Sequence, residues 1–445
     1  MKKFLETLKN IYKIEELRSR ILLTLGIIVI YRLGSFIVIP GVDPTQLDAL
    51  QAQTSGGVMG LLDMFSGGAF SNASIFALGI MPYISASIVI QLLGIAIPYF
   101  QRLQKEGESG RNKINQITRY LTVIITGFQA PTYISNLYSQ LPESAFVLNG
   151  TFFWVSSIIM LVAGTIFTMW LGEKITDRGI GNGISLIIMV GIIARFPFAI
   201  MAEFVSRLDE GGGLVMFLVE IVGLLLIIAA AILLVQGTRR IPVQYAKRIV
   251  GNKQYGGVRQ YIPLKINASG VMPIIFAQAI MFVPLTLAGF SGSETLTGFA
   301  SAFSDITGFW YNFTFALLIV VFTYFYTAIT VNPVQMADDM KKNGGFIPGV
   351  KPGKKTVEFL DTVMSRITLP GSLFLAMVAI MPAFAMIIGV NNQFAQFFGG
   401  TSLLILVGVV LDTLQQIESH LLMRHYDGLM KSGRIKGRTG SSASI

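Results

Sequence analysis

The alternation of basic and non-basic linkers between long apolar runs constrains this chain more than any other feature. Ten runs are long enough to cross a bilayer, at roughly 21–39, 74–93, 118–136, 152–171, 183–202, 214–235, 270–289, 311–331, 369–389 and 401–419, since a spanning helix takes about 20 apolar residues. Lys and Arg gather in every second linker. The leading segment, the linkers after runs two, four, six and eight, and the tail are basic, whereas 40–101, 290–310 and 390–400 contain none. Of the 34 Lys and Arg, only Arg32, Arg195 and Arg207 lie off this pattern. Basic linkers stay in the cytoplasm, so both termini are expected there. A miscounted helix would scramble the alternation.

Composition agrees. The 445 residues are 53% hydrophobic and 13% charged, against about 25% charged in an ordinary soluble domain. The net charge of +10 therefore reports topology rather than affinity for nucleic acid. The first run is too long for a cleavable signal and no small-x-small site follows it, so it reads as a retained helix.

Residues 56–70 break the rhythm. They are apolar, interrupted by Gly56, Gly57, Gly60, Gly67 and Gly68, carry Asp63 in the middle, and are too short to span. Half-length, glycine-broken segments in membrane proteins sit within protein or line a watery cavity, where open backbone groups find partners. The expectation is a short re-entrant piece before a spanning helix at 74–93; a loop resting on the outer surface is the alternative.

The chain divides into a leading segment (1–20), helices one to five (21–202), helix six (203–235), a long linker (236–268), helices seven and eight (269–331), a second long linker (332–366), helices nine and ten (367–419) and a tail (420–445). Both long linkers are basic. Attraction to anionic headgroups, about 1 kcal/mol per basic residue, is one reading. A docking surface for a large partner is the other, favoured by Tyr245, Tyr255, Tyr261 and Phe346 among the charges. Five crossings per half force the second half to enter from the opposite side, the parity of an inverted repeat.

Chemistry is sparse. There is no Cys, and the only His are His420 and His425. The nearest approach to a phosphate-binding loop, Gly353-Lys354-Lys355, lacks the hydroxyl residue and the earlier Gly. Asp63, Glu220, Asp412 and Glu418 are isolated, with no carboxylate pair expected in the apolar runs. The expectation is no enzyme, no cofactor and no metal. A small-solute transporter would share the helix count but needs a polar mid-membrane site for coupling ions. A pore-less scaffold leaves the glycine-rich segment unexplained.

Several strings resemble one family. They are Tyr31–Gly34, Ile75–Ile88 (IFALGIMPYISASI), Arg178–Ser185 (RGIGNGIS), Tyr245–Arg248 (YAKR), Asn332-Pro333 and Gly399–Ile405 (GGTSLLI). In this order they resemble the SecY family, the central subunit of the bacterial protein-conducting channel. The resemblance implies an all-α integral membrane protein with ten transmembrane helices in two inverted five-helix halves around a central pore, with a short re-entrant plug helix. It implies a channel in the bacterial plasma membrane that passes unfolded preproteins and releases apolar helices sideways into lipid. The implied partners are SecE and SecG, the SecA motor ATPase, the ribosome, and signal peptides and nascent chains.

The family pattern places a pore ring on Ile80, Ile84, Ile184, Ile188, Ile275 and Ile405. Ile80 and Ile84, like Ile184 and Ile188, are four apart and share a helix face. A ring of branched apolar side chains gates by excluding water. The plug falls on Met59, Leu61, Leu62, Asp63, Met64 and Phe65. A lateral gate lies between helices two and three and helices seven and eight, with Ser85, Ser87, Gln278 and Asn332 near it, or else these make ordinary interhelical hydrogen bonds. The long linkers become docking loops carrying Arg239, Arg240, Lys247, Arg248 and Lys351. The last stands where the family usually has Arg, and the two cations are not equivalent in bidentate contacts.

Overall fold

The computed structural model describes residues 14–47, 50, 57–148, 150–209, 213–245, 248–250, 253–255, 259–290 and 305–432. The helices, in order, are α1 (Glu15–Gly34), α2 (Gly57–Ser66), α3 (Met81–Ala96), α4 (Pro98–Lys105), α5 (Glu108–Gln140), α6 (Thr151–Arg178), α7 (Gly183–Asp209), α8 (Gly213–Gln236), α9 (Met272–Phe290), α10 (Phe309–Thr330), α11 (Pro333–Lys342), α12 (Lys354–Ile387), α13 (Asn392–Ala395) and α14 (Gly400–Ser432). Each of the ten apolar runs holds one of the longer helices. By length and hydropathy alone six described helices pass as spans, or seven if α3 and α4 form one bent span.

The second run differs from expectation. Its helix starts at Met81, not Ser74, with Pro82 in the first turn, where a missing N–H costs nothing. Residues 74–80 are instead an irregular buried loop. Ile75 N–H donates to the Ile37 carbonyl at 3.0 Å, and Ser74, Phe76 and Ala77 are buried, so the loop's polar backbone is partnered within the protein. At the far end, Pro98 breaks the helix and α4 leaves α3 at 99°.

The helices form two groups. In the first, α3, α5, α6 and α7 pack in sequence and α1 lies on α6. In the second, α9, α10, α12 and α14 pack together and α8 lies on α14. The groups join where α7 meets α8 and α14, and again where α9 meets α3 and α5.

The all-α expectation holds for the apolar body and fails in the long linkers. The first supplies β1 (Thr238–Tyr245), β2 (Arg248–Val250), β3 (Lys253–Tyr255) and β4 (Arg259–Lys265); the second supplies β5 (Gly345–Phe346). The sheet order is β4-β1-β5, all antiparallel, so one sheet knits both linkers. Ile241, Val243 and Leu264 pack under it against Met340, Ile347, Leu360 and Met364. The sequence cue is the alternation of Ile241, Val243 and Tyr245 with Arg240, Pro242 and Gln244, obscured by Pro242 and the flanking cations; in the fold Ile241 and Val243 are buried.

One close approach fixes the buried loop. A Cβ on Gly164 of α6 would lie 2.1 Å from the Ile75 carbonyl oxygen. Gly164→Ala should therefore lower the melting temperature of the purified protein, by about 1–3 kcal/mol of stability. Gly127→Ala in α5, whose Cβ would meet nothing within 4 Å, should not. Equal melting temperatures for both variants would contradict the packing described.

Candidate functional site

The centre of the molecule is organised along one stripe of α7. Ile184, Ile188, Gly191 and Arg195 recur at helical spacing and share a face. The short helix α2 lies across this stripe. Its Leu61, Met64 and Phe65 enter the main apolar core, which also contains Ile80, Ile84, Ile188 and Ile405. Ile184 and Ile275 are half-buried against the same core. The opposite side of α2, Met59 and Leu62, packs on a second core with Phe70, Ala77 and Tyr133. The helix is thus wedged between two cores. Ile80 caps α3 rather than lying within it, yet the Ile84 N–H still reaches its carbonyl at 3.1 Å, which keeps the expected helical relation.

Two glycines let α2 come this near. Gly67 turns the chain with φ +67°, and a Cβ there would sit 2.8 Å from the Gly191 Cα. A Cβ on Gly191 would in turn lie 2.9 Å from the Phe65 carbonyl oxygen. A side chain at either position would push α2 off α7.

Polar groups then fasten the end of α2. Asp63, only 7% exposed, pairs with Arg195. Arg195 Nη2 also donates to Ser71 Oγ at 2.6 Å, and the Ser71 N–H donates to Asp63 Oδ1 at 2.8 Å. Arg32 Nη1 donates to the Gly67 carbonyl at 2.7 Å, Tyr31 to that of Ser66 at 3.1 Å, and Tyr133 to that of Phe70 at 2.8 Å. α1 and α5 thereby satisfy carbonyls at and just past the helix end, α7 holds the Asp63 and Ser71 side chains, and a cation there suits the helix dipole. Two of the three cations outside the linker pattern are explained by this arrangement. Their off-pattern position was the sequence signal; their partners were not visible in it.

The third, Arg207, sits toward the other end of α7. It pairs with Glu203, at 2.7 Å from Nε, and with Glu220 of α8. Arg207 Nη2 donates to the Gly389 carbonyl at 2.8 Å, and the Asn391 N–H donates to Glu203 Oε2 at 2.7 Å. The expectation of isolated carboxylates is corrected here. Glu203 and Glu220 come from different helices and meet at one guanidinium.

Of the residues expected near the seam between α3, α5, α9 and α10, Ser87 accepts a hydrogen bond from Gln91 at 3.3 Å and Ser85 is half-buried. Gln278 is buried, with its Nε2 unpartnered among the described residues. Asn332 departs from expectation. Its side chain caps α11, accepting from the N–H groups of Val334 and Gln335, as Asn favours at a helix start, so it is not free to exchange partners in a seam.

Of the expected docking residues, Arg239, Arg240 and Lys351 are exposed. Arg248 lies on β2, and Lys247 falls outside the described residues. Arg239 and Arg240 point to opposite faces of β1 by strand alternation. Pro242 is paired with Tyr261 and Gln244 with Phe346, which places these aromatics on the Arg240 face. Tyr261 and Phe346 are exposed there, whereas Tyr245 packs into the core beneath the sheet. Among the described residues no group of three or more His, Cys, Asp or Glu could hold a metal ion.

A helical bundle in two groups, with at least six helices long and apolar enough to cross a membrane and a short helix wedged in its middle, defines the class: a multi-pass membrane protein. The family model described as SecY matches residues 74–414, and the chain belongs to that family. "Protein translocase subunit SecY" of Streptomyces scabiei is 45% identical over 434 residues, covering 94% of this chain and 98% of that one. Two solved structures share the fold. One is described as "The plug domain of the SecY protein stablizes the closed state of the translocation channel and maintains a membrane seal" (TM-score 0.62, 19% identity, 94% of each chain). The other is "Sec61 in the Canine ribosome-channel complex from the endoplasmic reticulum" (TM-score 0.57, 18% identity, 94% of each chain).

Asp63→Asn should loosen α2, because it leaves Arg195 without its counter-charge. A hydrogen bond to a charged group is worth about 2 kcal/mol, so the ratio of seated to displaced α2 should fall about 30-fold. Cysteine crosslinking between α2 and α7, in otherwise Cys-free protein, measures the ratio. An unchanged crosslinking yield would contradict the role of the pair.

Proposed function

We propose that this chain is the channel subunit through which unfolded preproteins cross the bacterial plasma membrane and from which apolar segments pass sideways into lipid. Both termini lie in the cytoplasm by the distribution of Lys and Arg. The observation that carries this reading is the shared core of α2 and the six isoleucines. An isoleucine collar has no polar atom to hold an ion, so it excludes water when closed and parts around a threading chain. α2 is the plug that backs it. The break between α3, α5 and α9, α10 is the lateral exit for signal peptides and nascent helices.

The transporter alternative needs ionisable groups at mid-membrane. Glu203 lies 15 residues along α7 from Ile188, about 22 Å at helical rise, and is paired with Arg207. The chain does no catalysis in this reading. The work comes from SecA or the ribosome, docked on the β-sheet and the adjoining basic linkers, with SecE and SecG as companions. The exposed Arg240, Tyr261 and Phe346 form the mixed basic and aromatic face that such interfaces favour.

Ile405→Asn tests the collar. A polar group at the seal admits water, so single-channel conductance of the idle protein should rise; conductance equal to the parent's would overturn the assignment. Replacing both Arg239 and Arg240 by Glu should weaken binding of SecA or of ribosomes, with most of the loss reproduced by Arg240→Glu alone. Unchanged binding of both partners would refute the docking face.

A further inference from the structure

The cluster at Arg207 has an unbalanced charge. Two carboxyl groups, Glu203 at 0% and Glu220 at 5% exposure, face a single guanidinium. Glu203 has both oxygens partnered, by Arg207 and by the Asn391 N–H. Glu220 has only one partnered, and its Oε2 is buried without a hydrogen-bond partner among the described residues. Among the described residues, no other charged residue faces the group from its neighbours. Glu220 is the only charged residue of α8, and residues 388–411, which include the turn at Gly389–Asn391, α13 and the start of α14, carry none. Asp209 and Glu210 follow Arg207 in the chain, and their side chains lie outside the described residues.

Burying a net negative charge with an unpartnered oxygen is costly, because desolvation is not offset by pairing. Either a cation or a proton must complete the site. A second metal-like cation is disfavoured, since the guanidinium already occupies one oxygen of each carboxylate and repels it, and no third ligand is present among the described residues.

We infer that Glu203, Arg207 and Glu220 form a proton-binding site in which one proton, held on Glu220, bridges the two carboxyl groups. The proton supplies the missing donor. Glu220 then donates to Glu203, and the pair carries one negative charge against one positive charge. The site joins α7, α8 and the turn before α13. By the linker charge pattern it lies at the outer side of the membrane, so its proton exchanges with the outer compartment.

The sign of the pH dependence follows from proton counting. The folded protein holds a proton that two separated, solvated glutamates in the unfolded chain have released at neutral pH. Stability is therefore fully present below the ordinary glutamate range and falls by about tenfold in the folded-to-unfolded ratio per pH unit above it, levelling off once the folded protein has also released the proton. The test uses the full chain, purified with its companions and reconstituted in lipid. Infrared difference spectra across the neutral range should show a protonated-carboxyl band in the parent that fades as pH rises and is absent from Glu220→Gln. The amide of Glu220→Gln donates to Glu203 as the proposed acid does. That variant should therefore match the parent's melting temperature at low pH, exceed it at high pH and lose the pH slope. Glu220→Ala should melt lower at every pH. A band and slope in Glu220→Gln identical to the parent's would overturn the proposal. So would loss of the slope in Asp209→Asn/Glu210→Gln instead, or full restoration of high-pH stability by sodium or calcium ions, which would mark a bound cation.

Discussion

A charge buried in an apolar body must meet its partner, and that requirement holds the centre of this molecule together. Asp63 is the only acidic residue of α2, and Arg195 is the cation within reach on α7. Neither is tolerable alone, because an unpaired charge in such surroundings costs several kcal/mol. The pair therefore fixes where α2 lies along α7. Once α2 is there, its two sides reach two different cores, and Tyr31, Arg32 and Tyr133 close on the carbonyls of Ser66, Gly67 and Phe70 at and beyond its end.

α7 is the spine of this arrangement. The same helix presents Ile184 and Ile188, the glycine that admits α2, the arginine that fastens it and, further along, the Glu203–Arg207 pair. These contacts are stacked along one rod, so a shift of α7 is felt by the isoleucines and by α2 together. α2 is seated by a few polar contacts at one end, with glycines at its turn. The packing that flanks it is continuous; the contacts that hold it are discrete and can be exchanged.

The two long linkers act as one unit for an analogous reason. β5 from the second linker pairs with β1 of the first, and the residues beneath the sheet come from both linkers and from α12. The first linker follows α8 and the second precedes α12. The sheet is therefore tied to two helices of the second group, whose member α9 borders the seam with α3 and α5. The two linkers are held as one element rather than as two independent loops.

Much of this was legible in the chain. The apolar runs determined the multi-pass membrane class, and the alternation of Lys and Arg set the expected direction of the crossings, because transfer of charge and of apolar length into lipid depends on local composition alone. The glycine-broken segment at 56–70 was recognisable as neither span nor ordinary loop for the same reason. The family strings located the six isoleucines. What only the tertiary structure decided was pairing. Asp63 and Arg195 are 132 residues apart, Glu220 meets a carboxyl from a different helix, β1 finds β5 across α9, α10 and α11, and Asn332 is committed to a helix cap. The start of α3 at Met81 belongs with these, since residues 74–80 forgo helix only because the protein around them satisfies their backbone. Local sequence determines what each segment must bury; only the assembled fold determines against whom.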